Sequence, residues 1–293
     1  MSKKSSAPAR AVVRVPATSA NLGPGFDTMG VALKIYNTVT VRRTEDSVTA
    51  SGMTAETTIA FFDRTGIEPF SFKADIAGQV PPARGLGSSV TVRLGLVAGL
   101  NALAGEPLDP EEVLALVVEL EGHPDNAVPA FHGGFAASAP DRFFRIDVAP
   151  ALKFVGLIPD FELQTKKARA VLPKAVPMAD AIANLQYGSL IAAAFARKEY
   201  AQLEGLFRDR WHQPYRAKLI PCWEAVEAAA LKAGALGFYL SGAGSTLMAL
   251  VHGSNDLAET VAAKMEAAAK KAKVKASAFV TTADNEGCRI SVK

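Results

Sequence analysis

Apolar and polar residues alternate along Phe70–Ala77 (FSFKADIA), the period of a strand with one face buried. Two earlier stretches, 11–15 (AVVRV) and 31–43 (VALKIYNTVTVRR), are rich in β-branched residues and also predict strands. Between them lies PATSANLGPGFDTMG, dense in turn formers and too long for a tight hairpin. Long ordered connections of this kind more often carry function than idle. A helix is predicted from Ser88 to about Leu103, and a second to about Glu121, with Asp109 as its cap, Pro110 in its first turn and glutamates at its positive end. HPDNAVPAFHGGF then reads as an irregular connection, followed by short strands near 133–138 and 143–148.

After Pro150 the texture changes. KFVGLIP predicts a strand, Met178 to about Arg208 is alanine-rich and helical, and IPCWEAVEAAALKAG predicts a helix stopped by Gly234. ALGFYL, STLMALV and VKASAFVTT predict strands, with a helix over about Asp256–Lys271 between the last two. The order implies an α+β layer with helices on one face of a sheet, and a boundary near Pro150.

Composition narrows the class. The 293 residues are 49% hydrophobic and 21% charged, enough for a sizeable core and unlike a disordered chain. A net charge of +3, with the basic run at Lys264–Lys275 free of aromatic residues, predicts a solvated helix face and no nucleic-acid partner. Cys222 and Cys288 stand far apart, which excludes a disulfide framework or zinc ribbon and fits a reducing compartment. MSKKSSAPAR has no apolar stretch behind it and reads as a frayed tail, not a secretory signal; no apolar segment is long enough to span a bilayer. The expectation is a soluble cytoplasmic protein without a membrane partner.

The candidate chemistry begins at PPARGLGSSVTV, where Gly85, Gly87, Ser88 and Ser89 open directly onto a helix. Helix N-termini carry unpaired N–H groups and partial positive charge, glycines admit a close ligand, and hydroxyls add donors, so the turn suits a phosphate. Taken as five residues alone, a tight turn with Ser88 as a simple cap serves equally well. No lysine precedes the serines, which excludes a Walker A loop, and Val90 stands where a dinucleotide fingerprint needs its third glycine.

PPARGLGSSVTV resembles the central phosphate-binding motif of the GHMP kinase superfamily (galactokinase, homoserine kinase, mevalonate kinase and phosphomevalonate kinase), with Val90 at a usual alanine position. Two further motifs of that superfamily occur in order: VPATSANLGPGFDTMG, and LSGAGSTLMAL with Ser245 in place of a common proline. SANLGPGFD, EGHPDNAVPAFHGGF, TKKAR and QPYRAKLIP are similar to segments of its homoserine kinase family. The resemblance implies a two-domain GHMP-kinase-like α+β fold. Residues 1–150 would form an ATP-binding, ribosomal-protein-S5-like domain, and 151–293 a ferredoxin-like α/β sandwich. It implies ATP-dependent phosphorylation of L-homoserine for threonine synthesis, and a possible homodimer. The competing expectations are a kinase of mevalonate, shikimate or pantoate, and a relative that binds without catalysing.

Site roles follow from the same resemblance. Pro82, Ala83, Arg84, Gly85, Leu86, Gly87, Ser88, Ser89, Val90, Thr91 and Val92 would surround the ATP phosphates, with Ser88 and Glu121 as Mg2+ ligands and Glu119 as a competitor for Glu121. Asn21, Asp27, His123, Asn126, Thr165, Arg169, Arg216 and Gly242 would hold the substrate. The chemistry agrees: a zwitterionic alcohol needs arginines for its carboxylate, Asp27 and Asn21 for its ammonium, and Asn126, with His123 and Thr165, to aim its hydroxyl. The superfamily's usual aspartate base is matched by Asn126, which cannot take a proton, so catalysis by positioning and charge stabilisation is expected. Neighbouring Asp125 is expected to point elsewhere. No adenine-contacting residue is assigned.

Overall fold

A computed structural model describes residues 9–46 and 51–293. The frayed tail expected at 1–8 lies outside the described residues. The first half of the chain builds an antiparallel sheet from β1 (Arg10–Ala20), β2 (Met29–Arg43), β3 (Phe72–Gly78), β4 (Phe135–Ala139) and β5 (Arg142–Ile146). β1 lies along β2 from Arg10 opposite Arg42 to Ala20 opposite Gly30, with a bulge between Pro16 and Ala17. The other edge of β2 is shared: β3 pairs with its second half and β4 with Met29–Val31. The strands thus run further into the first motif than the β-branched pattern indicated, which leaves only residues 21–28 as the loop.

Helices α1 (Gly52–Thr65), α2 (Ser88–Leu103), α3 (Pro110–Glu121) and α4 (Pro124–His132) follow in the first half. α2 ends where its pattern placed it, and α3 opens with a capping box between Asp109 and Glu112. α2 lies close on the sheet because Gly95 and Gly99 carry no side chain; a Cβ there would meet Val39 and Val41 at 2.4 and 2.5 Å. At the start of α2, Ser88 and Ser89 share one cavity with Asn21 and Asp27 of the 21–28 loop. α1 falls where the sequence reading found no element.

The segment read as irregular, HPDNAVPAFHGGF, is largely helix: α4 begins with His123 as N-cap and Pro124 in its first turn, and carries Pro129 inside. Pro129 has no N–H for the Asp125 carbonyl four residues earlier. β2 passes close to that freed carbonyl at Gly30, where a Cβ would lie 1.7 Å from the Asp125 oxygen.

The second sheet has the order β7–β8–β6–β9, from β6 (Leu152–Pro159), β7 (Gly237–Leu240), β8 (Leu247–His252) and β9 (Ala276–Thr282), all antiparallel. α8 (Trp223–Lys232) and α9 (Asn255–Lys271) cover one face through Val226, Val261 and Met265. Between the sheets a second core joins Leu22, Met29 and Phe135 to Phe154, Tyr239 and Leu250. α5 (Thr165–Ala170), α6 (Met178–Arg197) and the short α7 (Gln213–Arg216) lie between β6 and α8. The helix expected to reach Arg208 stops at Arg197, with Lys198 left-handed at φ 57° and a short 3-10 turn following. Pro150 lies between β5 and β6, and β10 (Arg289–Val292) returns to pair with β1 in the first sheet.

Candidate active site

All three glycine-rich segments meet at one cavity of about 500 Å³. Its floor is the start of α2. Gly87, at φ 66°, is the N-cap, and no side chain among the described residues caps the helix. The first helical bond runs from Thr91 N–H to the Gly87 carbonyl, so the amides of Ser88, Ser89 and Val90 have no acceptor within the helix. A side chain on Gly87 would strike Thr18 Oγ1 at 2.0 Å, and that hydroxyl donates to Asn126 Oδ1 at 2.7 Å. The phosphate-suited turn and Asn126 are therefore built against each other.

Pro82, Ala83, Gly85, Gly87, Ser88 and Ser89 line the cavity. Five residues of the expected phosphate segment do not. Leu86 is buried just before the helix, and Val90, Thr91 and Val92 are buried because successive residues on α2 rotate away from the opening and into the core. Thr91 instead donates to the Ser88 carbonyl and accepts from Asn37 Nδ2, which secures the first turn. Arg84 faces Glu162, 3.7 Å away.

Glu121 lies in the cavity wall, while Glu119 is on the surface, paired with Arg64. Glu121 Oε2 accepts from Ser89 Oγ at 2.9 Å, and its Oε1 is 3.2 Å from Arg93 Nε. Burial raises the pKa of this carboxyl, with Ser89 and Arg93 opposing the rise. Ser88, Ser89 and Glu121 line one cavity beside a helix N-terminus, with Ser89 rather than Ser88 hydrogen-bonded to the carboxylate, and their hard oxygens suit a divalent cation such as Mg2+. Arg93 was missed by the sequence reading. A lone charge within the apolar run SSVTVRLGLVAGL was its signal; it reaches Glu56, Glu121 and the Leu120 carbonyl, tying α1, α2 and α3 together.

The other end of the cavity holds Asn21, Asp27, His123, Asn126, Thr165, Arg169, Arg216 and Gly242. Asn21, left-handed at φ 73°, accepts from Asp27 N–H at 3.0 Å and donates to the Gly242 carbonyl at 2.9 Å. Arg169 grips both oxygens of Asp27, at 2.8 and 3.1 Å. Arg216 is buried, and burial, with Arg169 nearby, pulls its pKa down to about 10, so it stays charged at neutral pH.

Asp125 overturns one expectation: it points into the same cavity. Because residues 124–132 are helical, Asp125 and Asn126 sit together in a first turn. Asp125 Oδ1 accepts from His123 Nδ1 at 2.5 Å and from Asn126 Nδ2 at 3.3 Å. Burial by itself depresses the His123 pKa, but the bond to Asp125 and the charges of Asp125 and Asp27 outweigh it, and the net shift is upward.

An uncapped helix start facing a cluster of opposite charges, between two mixed layers, is the layout of a small-molecule kinase of the GHMP class. The models for the GHMP kinases N terminal domain and the GHMP kinases C terminal domain match residues 53–134 and 191–271. Homoserine kinase of Clostridium beijerinckii is 42% identical over 254 residues, 82% of this chain and 85% of that protein. That of Petrotoga mobilis is 36% identical over 259 residues, 82% and 84% of the two chains. The crystal structure of homoserine kinase from Cytophaga hutchinsonii superposes with a TM-score of 0.88 at 25% identity, covering 99% of each chain. A mevalonate kinase structure superposes at 0.69 and 15% identity, a likeness of fold. The chain belongs to the homoserine kinase family of the GHMP kinases.

Proposed function

We propose that the protein transfers the γ-phosphoryl group of ATP to the side-chain hydroxyl of L-homoserine, giving O-phospho-L-homoserine for threonine synthesis. One observation carries this reading: Ser88 and Ser89, whose amides have no acceptor within α2, and the charges of Asp27, Arg169 and Arg216 line a single cavity. The amides and hydroxyls of Ser88 and Ser89 bind polyphosphate at the positive end of the helix. Ser88 and Glu121 would hold Mg2+, which supplies charge neutralisation on the transferred group. Arg169 and Arg216 take the substrate carboxylate, and Asp27 its ammonium. Asp27 and Arg169 are already paired, so an incoming zwitterion exchanges one ion pair for two.

Asn126 aims the hydroxyl. Its Oδ1 accepts from Thr18 and its amide leans on Asp125, which fixes the orientation of the one N–H left for substrate. Asp125 spends an oxygen on His123 and Asn126, which suits a buried brace better than a proton acceptor. The hydroxyl proton then leaves to a phosphate oxygen or water as the loose transition state forms. The 1–150 segment is proposed as the ATP-binding domain and 151–293 as its partner, with β10 lent back to the first sheet. The free thiols of Cys222 and Cys288 are consistent with work in the cytoplasm, and no described helix is long and apolar enough to cross a membrane.

Phosphorus NMR of the protein with MgATP and L-homoserine tests the proposal. A phosphomonoester coupled to a methylene, appearing with ADP, is the expected result. Turnover of mevalonate, shikimate or pantoate with none of homoserine would reassign the substrate, and no turnover of any would favour a binding protein.

A further inference from the structure

His212 lies outside the cavity wall and is fully buried, yet it touches both halves of the substrate end. It is the N-cap of α7, whose last residue is Arg216. Its ring Nε2 is 2.9 Å from the Gly23 carbonyl, in the loop that carries Asn21 and Asp27. Its Nδ1 is 3.4 Å from Arg216 Nη1. Phe26, adjacent to Asp27, stacks on the ring with centroids 5.0 Å apart.

These partners select one protonation state. A carbonyl only accepts, so Nε2 carries the proton; a guanidinium only donates, so Nδ1 must be the bare nitrogen. The opposite tautomer would set two donors against each other and leave the Gly23 carbonyl without a partner. The fully protonated ring would place a second cation against Arg216; Asp209 Oδ2, 3.5 Å from Nε2, also agrees with the proton on that nitrogen. Burial lowers the His212 pKa, with Asp209 opposing and Arg216 reinforcing the effect, which agrees with a neutral ring. Asp209 anchors the turn from below, accepting from the backbone N–H groups of Trp211, His212 and Gln213.

Arg216 is thereby fully directed. Nε donates to the Ala168 carbonyl at 3.0 Å, and Nη1 donates to the Gly242 carbonyl at 3.2 Å as well as to His212. Those acceptors engage Nε and Nη1 from opposite edges of the guanidinium; Arg216 lines the cavity, and among the described residues Nη2 has no acceptor, which leaves it for a ligand. We infer that His212 is a positioning residue for substrate specificity: as a single neutral tautomer it ties Arg216 to the Asn21–Asp27 loop and so fixes the span between carboxylate and ammonium recognition. The inference rests on the proposed homoserine reading of Arg216 and Asp27.

The test compares kcat/KM for L-homoserine with that for 3-aminopropan-1-ol, the same amino alcohol without the carboxylate, in the parent protein and in H212N, H212Q and H212F. An asparagine oxygen can stand in for Nδ1 and still receive Arg216; a glutamine amide can stand in for Nε2 and reach Gly23 but not Arg216. Preference for homoserine should fall about tenfold in H212F and H212Q and be largely kept in H212N, with the ATP KM steady within about twofold. A merely structural role would lower both substrates together. Equal preference in H212N and H212Q, or an unchanged preference in a folded H212F, overturns the inference while leaving the function standing. Failure of the wild-type protein to phosphorylate homoserine at all removes both.

Discussion

Replacing Asp125 with asparagine separates a brace from a base. The side chain is 2% exposed and its Oδ1 receives His123 at 2.5 Å and Asn126 at 3.3 Å. The amide keeps an acceptor in place but loses the charge, so the deficit is that of one charged hydrogen bond, about 1.5–3 kcal/mol. At about 1.4 kcal/mol per tenfold, kcat/KM for homoserine should drop between about 10-fold and about 150-fold. Because His123 and Asn126 both relax, part of the drop should appear as a raised homoserine KM, while the ATP KM holds. Steady-state ADP release, measured across homoserine concentrations at saturating MgATP, resolves these terms. A fall in kcat beyond about 1000-fold with an unaltered homoserine KM would identify Asp125 as the proton acceptor and refute catalysis by positioning.

Other expectations follow from the same contacts. R216A should raise the homoserine KM by about 1.5–3 kcal/mol in binding terms and R169A by less, since Arg169 is 39% exposed and already shares Asp27 with solvent; a matching rise in the ATP KM would argue against the carboxylate assignment. E121Q should increase the Mg2+ concentration needed for half-maximal rate, and chelation of Mg2+ should stop turnover in the parent protein; an unchanged Mg2+ requirement in E121Q would move the ligand elsewhere. G30A sets a Cβ against the Asp125 carbonyl and should destabilise the fold by about 3 kcal/mol, read as a lower denaturation midpoint; no change would mean that α4 can shift freely. His212 has a folded pKa below its ordinary 6.5, so the unfolded chain binds more protons below pH 6.5 and stability must decline as pH falls through that window; H212N should flatten this acid-side decline, and an equally steep decline in the variant would contradict the neutral-ring assignment.

Chain-local features were legible in the sequence. The GLGSS turn, the Asp109 cap and the limits of α2 depend on neighbours a few residues apart, where backbone preference and helix-end chemistry decide the outcome. The pocket's charged pairs depend on contacts that no local pattern holds. Asp27 meets Arg169 across 142 positions, and Thr18 meets Asn126 across 108. α4 was hidden for a related reason: Pro129 argues against a helix, and the glycine that accommodates its freed carbonyl lies on β2. Once α4 is read as a loop, Asp125 has no cause to face the cavity. β10 was invisible because four residues of ordinary strand texture carry no mark of the strand they join.

Polyphosphate at the start of α2 and an amino-acid hydroxyl beside Asn126 are the two placements on which the mechanism turns. A crystal structure with L-homoserine and a non-hydrolysable ATP analogue in the presence of Mg2+ measures both at once. Phosphate oxygens should lie on the Ser88 and Ser89 amides, a cation between Ser88 and Glu121, and the homoserine hydroxyl should face the terminal phosphate with its carboxylate on Arg216. Triphosphate density away from the Gly85–Ser89 turn, or homoserine bound with its carboxylate remote from Arg169 and Arg216, would contradict it.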